Sequence, residues 1–279
     1  MLALGCAPSL KTQLLHRIKH AREADAVEVA FIDVATGEAV GIDDRELMHA
    51  GSTMKLPVMM EIYRLVAAQR LALDQPITVI NSFHSIVDNS EYTLDAGDDG
   101  DAWMYTQLGH DVPLSKLVER MIVRSSNLAT NLLIERVGAS NVTRLCRELG
   151  ASDMVVRRGV EDGKAYRAGL NNMTTAHDLQ VLLEAIYRHR VPGADEMLTI
   201  LAQQEFNEGI PVGLPPHTEV AHKTGSIERF YHDAAIVNPR GPHPYVLVVM
   251  TRGPTEKLAP LLVADLSRIV YRHVVTQGQ

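Results

Sequence analysis

From Met54 onward apolar residues recur at Val58, Ile62 and Leu65/Val66, the three-to-four spacing of a helix that buries one face. Pro57 falls early enough to cost only a hydrogen bond near the helix start. Residues 10–24, rich in leucine and basic side chains at the same spacing, predict an N-terminal helix. Residues 26–34 and 39–42 read as two strands joined around Thr36-Gly37, a hairpin. The middle of the chain has a mostly helical pattern. Near the end it returns to short β-rich runs at 219–222, 231–238 and 245–251, divided by Gly225-Ser226 and by Pro239-Arg240-Gly241-Pro242. Residues 255–275 predict a closing helix with Leu258, Leu261/Leu262, Leu266, Ile269 and Val270 along one face.

Strands at both ends with helices between them predict an α+β fold with one antiparallel sheet built from the two termini. In that layout residues 1–50 and 211–279 form a discontinuous sheet domain, and 51–210 an inserted helical domain. No internal repeat or long linker interrupts it.

Composition narrows the function. The 279 residues, 46% of them hydrophobic, bury a large core in one or two domains. The net charge of -7 comes with no basic run, which argues against a nucleic-acid partner. No stretch reaches the roughly 18 apolar residues of a membrane span. Met1 to Cys6 is similar to the tail of a lipoprotein signal ending at a cysteine, although an ordinary chain start is the simpler reading. Cys6 and Cys146 match neither a metal spacing nor a disulfide framework, and Cys146 reads as a buried free thiol on a helix.

Two other patterns carry less than they first suggest. His16 and His20 share a helix face, but without a third ligand they read as a surface face, so no metal is expected. The run Asp95-Ala96-Gly97-Asp98-Asp99-Gly100-Asp101 lacks the alternating ligands and closing glutamate of a calcium loop and reads as a solvated surface loop.

Candidate chemistry begins at Ser52-Thr53-Met54-Lys55. A serine hydroxyl is a poor nucleophile until a base takes its proton, and a lysine at i+3 comes round to the same helix face. Near a helix N-terminus the developing negative charge on Ser52 is favoured by the dipole and the unpaired amides. Ser125-Ser126-Asn127 lies on a turn between two helical runs. There a serine can relay a proton and an asparagine can both donate to and accept from a substrate amide, although such a turn alone is more often a helix cap. His222-Lys223-Thr224-Gly225-Ser226 ends an expected strand. It offers a cation, two hydroxyls and a glycine that permits close backbone approach, and reads equally as a polar strand end with a glycine turn.

Taken together and in this order, the three segments resemble the Ser-x-x-Lys, Ser-x-Asn and Lys-Thr-Gly set of class A β-lactamases and penicillin-binding proteins. The likeness extends to Asn131-Leu132-Leu133, Leu170-Asn171, Thr174-Thr175 and the strand at 233–237. It implies a five-stranded antiparallel sheet flanked by helices, an all-helical lobe, and a site in the cleft between them. It further implies that Ser52 is the acyl-accepting nucleophile, Lys55 its general base, and Ser125 the proton relay to the leaving group. Asn127 would bind the substrate amide, while Lys223, Thr224 and Ser226 would hold its carboxylate beside Gly225. The amides of Ser52 and Ser226 would form the oxyanion hole. Burial beside Lys223 would lower the pKa of Lys55 enough for it to act as a base. No cofactor is called for.

The chain departs from the family at the deacylating glutamate. Arg167-Ala168-Gly169-Leu170-Asn171 puts Arg167 where the likeness expects that glutamate, and the loop from Asn171 to Thr174 is short. Glu161 and Asp162 are alternative carboxylates from a rearranged loop, or equally a turn of solvated acids. Ser126 stands where β-lactamases usually carry aspartate. An extra segment at 90–111 brings Tyr92, Trp103 and Tyr105, which line the cleft or pack in the core. The small-molecule substrates open at this point are a β-lactam, a D-alanyl peptide or an ester. A module that binds or acylates without turnover is the rival from another class. A zinc hydrolase lacks its motif, and an α/β-hydrolase would need a Gly-x-Ser-x-Gly that does not occur.

Overall fold

The computed structural model describes residues 8–253 and 258–277. The Met1 to Cys6 segment and the expected start of the closing helix at 255–257 lie outside the described residues. Five strands form the main sheet: β1 (Ala26–Asp33), β2 (Ala39–Ile42), β3 (Val220–Ile227), β4 (Phe230–Val237) and β5 (Tyr245–Arg252). Their order is β2-β1-β5-β4-β3, antiparallel throughout, so the two ends of the chain meet at the β1–β5 ladder. Asp33 Oδ1 closes the β1–β2 hairpin by accepting from the amides of Ala35 and Thr36, and Gly37 takes a φ of 78°.

Alternation along the strands decides what covers each face. Val29 and Phe31 of β1 and Leu247 and Val249 of β5 pack against α1 (Leu10–Lys19) and α8 (Ala259–Gln277). Ala30, Ala234, Ile236, Val246 and Val248 turn the other way onto α6 (Ala176–Tyr187) and the remaining helices. Those are α2 (Lys55–Ala67), α3 (Leu114–Val123), α4 (Asn127–Val137), α5 (Ala139–Leu149) and α7 (Ala194–Leu201). Cys146 is buried on α5, and burial pushes its thiol up to about 12.

Three elements differ from the sequence expectation. Helix α1 stops at Lys19 rather than residue 24, because Ala21 N turns back to Ile18 O and Glu23 folds onto Arg17. Helix α2 is buried nearly all round instead of along one stripe. Even Glu61 is inside, held by Nε and Nη2 of Arg64, each at 2.7 Å. The most consequential difference is β3, which does not end at His222. Its ladder with β4 continues through Lys223, Thr224 and Gly225 to the Ile227–Phe230 pair, and the chain turns only at Glu228, whose φ is 45°. The polar letters that look like a strand end instead mark an outer strand facing a cleft.

Candidate active site

Ser52 lies in a single 3-10 turn, Gly51–Met54, that feeds directly into α2. The turn is fixed from both sides. Ala50 N donates to Asn172 O at 2.8 Å, Gly51 N to His49 Nδ1 at 3.0 Å, and Thr53 Oγ1 to Ala50 O at 2.6 Å. Behind it, His232 accepts from Thr251 N at Nδ1 and so carries its proton on Nε2, which donates to His49 O at 2.8 Å. Burial pushes both His232 and His49 down to about 4, so both rings are neutral at ordinary pH.

Strand β3 runs against this turn. A Cβ on Gly225 would lie 3.0 Å from Thr53 N and 3.1 Å from Ala50 O, so only glycine lets the two backbones meet. Gly51 faces the same contact at a φ of 51°, where an added Cβ would lie 3.4 Å from Ser226 N. The backbone of Ser226 is thereby brought beside Ser52.

Lys55 is completely buried. Its three protons find three acceptors: Ser125 O at 2.6 Å, Asn127 Oδ1 at 2.8 Å and Ser125 Oγ at 3.2 Å. Burial pushes it down to about 7, against the opposing pull of Asp99 and Glu161. Lys223, also fully buried, reaches Ser125 Oγ at 3.1 Å and Thr224 O at 2.9 Å. Its own burial and the neighbouring Lys55 hold it well below the usual lysine range, with Asp233 pulling the other way. Desolvation, rather than the second ammonium, is thus the main cause at Lys55. The mutual repulsion is expressed at Lys223.

Ser125 Oγ therefore accepts from both ammonium groups, which leaves its own hydrogen free to point elsewhere. The residue adopts a left-handed φ of 54°, costly for a side chain with a Cβ. Lys55 on its carbonyl and Ser126 N on Arg120 O hold it there.

Asn127 opens α4 with its amide orientation set by charge: Oδ1 faces Lys55, and Nδ2 donates to Glu161 Oε1 at 2.7 Å. Glu161 is delivered by a tightly folded loop. Asn131 accepts from Val160 N at 2.6 Å and donates to Val160 O, and a Cβ on Gly159 would lie 2.4 Å from Asn131 Oδ1. Burial raises the Glu161 carboxyl above its ordinary value, with the Asn127 hydrogen bond opposing. Asp162 is not a solvated acid: it lines the larger chamber, but its oxygens are taken up by neighbouring donors. It is 1% exposed and accepts from Ser85 Oγ, Ile86 N and Ala165 N, capping the short helix Gly163–Arg167.

Two chambers share Ser52, Asp98, Asn127 and Ser226. The larger, of about 360 Å³, is walled by His49, Val160, Glu161, Tyr166 and Ile227. The smaller, of about 220 Å³, is walled by Ser125, Phe206, Glu208, Thr224 and Tyr231.

A family model described as the β-lactamase enzyme family matches residues 9–274. The chain belongs to this family. Solved structures of similar fold include PBP-A, with 23% identity over 96% of each chain and a TM-score of 0.80. A β-lactamase from Sphaerobacter thermophilus DSM 20745 matches with 23% identity over 95% of this chain and 98% of the other, at 0.80. One from Xanthomonas campestris pv. campestris str. ATCC 33913 has 19% identity over 96% and 99%, at 0.81. No match was found among the curated proteins.

Within this β-lactamase-family fold, Ser52, Lys55, Ser125, Asn127, Lys223, Thr224, Gly225 and Ser226 converge on one cleft. Arg167 does not: it is exposed on the short helix, and Glu161 is the acid that faces Asn127. Asn171 is also displaced from the expectation. Its Oδ1 accepts from Arg158 Nη2 at 3.0 Å, and its neighbour Asn172 lines the larger chamber. Of the three aromatics in the extra segment, Tyr92 packs beside Phe83, Trp103 lies under Arg120 and Lys116, and Tyr105 donates to Asp99.

The aspartate run at 95–101 is not simply solvated. Asp101 is 1% exposed and ion-paired to Arg120, and Asp99 Oδ2 accepts from Asn127 N, Leu128 N and Ser126 Oγ. Sequence reasoning missed Asp99, His49, Tyr166 and Glu208. For Asp99 a signal existed. With Ser126 in place of an acid, the N-terminus of α4 lacks the carboxylate expected there, and a nearby acidic loop can provide one.

Proposed function

We propose that this β-lactamase-family protein is a serine hydrolase of the class A type that forms an acyl-enzyme on Ser52. The observation that carries this reading is the convergence of two fully buried lysines on Ser125 Oγ beside Ser52. With Lys55 brought to about 7, roughly half of it is neutral at neutral pH and free to take the Ser52 proton.

In this reading the substrate carbonyl sits between the amides of Ser52 and Ser226. Each such donor is worth about 3 kcal/mol to a tetrahedral oxyanion. The free hydroxyl hydrogen of Ser125 passes to the departing nitrogen. Thr224 and Ser226, on one face of β3, and Lys223 hold the substrate carboxylate in the smaller chamber, while Asn127 binds the acyl amide in the larger one. Glu161, raised by burial yet bonded to Asn127, is the base that activates water to release the acyl group. A β-lactam is the substrate that uses all of these groups. D-alanyl peptides and small esters present the same carbonyl to Ser52. That a mutant of PBP-A is known as an acyl-enzyme complex with penicillin G supports the reading through fold alone.

The test is covalent labelling with a penicillin, followed by mapping of the modified peptide. The native protein is expected to gain one acyl group on the peptide carrying Ser52, Ser52→Ala to gain none, and Lys55→Ala to acylate on the order of 100-fold more slowly. Equal labelling of Ser52→Ala would remove Ser52 from the mechanism.

A further inference from the structure

We infer that Asp99, from a loop outside all three motifs, is a positioning residue for acylation: it holds the Ser125–Asn127 turn and sets the charge that Lys55 faces. The inference rests on the reading of Ser52 and Lys55 given above. Its physical basis is a single carboxylate oxygen that gathers four donors. Asp99 Oδ2 accepts from Leu128 N at 2.9 Å, Asn127 N at 3.0 Å, Tyr105 OH at 3.2 Å and Ser126 Oγ at 3.3 Å. Two of these are the otherwise unpaired first amides of α4, where the helix dipole also favours an anion.

The residues held this way are those Lys55 depends on. Asn127 donates to Asp99 through its backbone and accepts from Lys55 Nζ through Oδ1 at 2.8 Å. Ser125, strained at a φ of 54°, is one residue before the capped segment and accepts from Lys55 twice. Removing Asp99 would leave two helix amides and the Ser126 hydroxyl, next to the left-handed Ser125, without their common acceptor.

The charge matters as much as the shape. Lys55 faces charged groups from three directions: Asp99 from the 95–101 loop, Glu161 from the loop before the short helix, and Lys223 from β3. The serine and asparagine of the α3–α4 turn are neutral. Asp99 is the first of the two acids that oppose the burial of Lys55. Without it the cationic form is less favoured, and the amine releases its proton at lower pH. The acid limb of acylation, which rises as Lys55 becomes neutral, should move the same way.

Asp99→Asn separates the two roles, since an amide keeps a hydrogen-bond acceptor for the turn but carries no charge. The Lys55 side chain is followed directly by NMR titration of its ε-carbon, assigned by the signal lost in Lys55→Met, in parallel with the pH profile of penicillin acylation. In Asp99→Asn both midpoints are expected to fall by roughly 1 in pH, the scale of one nearby opposite charge. The distant surface variant Asp195→Asn should move neither. An unmoved Lys55 titration in Asp99→Asn would overturn the inference, whether or not the protein reacts with penicillin. A native protein that is never acylated would instead overturn the reading of Ser52. If Asp99→Asn fails to fold, Asp99→Asn/Ser126→Asp restores a carboxylate at the cap of α4. That double variant is expected to fold with the Lys55 midpoint back near its native value, and a midpoint far from native there would also overturn the inference.

Discussion

Two lysines, fully buried without a salt bridge, stand out at the scale of single residues. Among the described residues neither Lys55 nor Lys223 has a carboxylate within ion-pair distance; Lys55 is held by serine, asparagine and backbone oxygens, and Lys223 by a serine and a backbone oxygen. Such burial makes an amine easier to deprotonate, which serves a general base. The same physics operates far from the cleft at Glu28. It is 1% exposed, accepts only from Ala176 N, and is pushed up to about 8 by burial. Between its ordinary value of 4.5 and about 8 the folded state holds a proton that the unfolded state has released. Stability from this group is therefore full below that window and is lost as pH rises through it. Glu28→Gln removes the dependence. Calorimetric melting at about pH 5 and about pH 8.5 should show the native protein losing ground to the variant as pH rises. A constant difference between the two proteins would contradict the burial argument.

At the scale of elements, the site depends on one strand meeting one turn. Gly225 is required because β3 and the Ser52 turn touch backbone to backbone. In Gly225→Ala the new Cβ would push β3 away from Thr53 by a few tenths of an ångström and carry the Ser226 amide with it. Acylation should slow by about ten-fold or more, with only a modest fall in melting temperature, since misplacing a reacting group is felt in rate before stability. Rate measurements that match the native protein would mean that β3 does not position the carbonyl. The sequence made the hairpin, the strands β4 and β5 and the long helices readable through their periods of two and of three to four. It did not reveal that β3 runs through Gly225, because a polar segment facing a cleft has the same letters as a turn. Nor did spacing alone find the path of the 158–171 loop. Its course is set by Asn131 clasping Val160, by Asp162 capping from within, and by Arg158 bonding to Leu170 O and Asn171. These long-range contacts turn Arg167 outward and Glu161 inward.

At the scale of the whole molecule, the sheet provides β3, the helical region provides Ser52, Ser125 and Asn127, and the cleft exists where they face each other. The order of the three motifs made this arrangement legible in the sequence, because in the proposed mechanism each motif supplies a different piece of one acyl transfer. What stayed hidden were the supports that arrive from elsewhere in the chain, Asp99 at α4 and His49 behind the Ser52 turn. In the proposed mechanism Ser52 is the acylated residue and Glu161 the group that frees it. An intact-mass time course with a penicillin, native protein beside Glu161→Gln, tests both at once. One acyl adduct is expected on each protein, persisting on the order of 100-fold longer in the variant. No adduct on the native protein, or equal adduct lifetimes on the two, would contradict it.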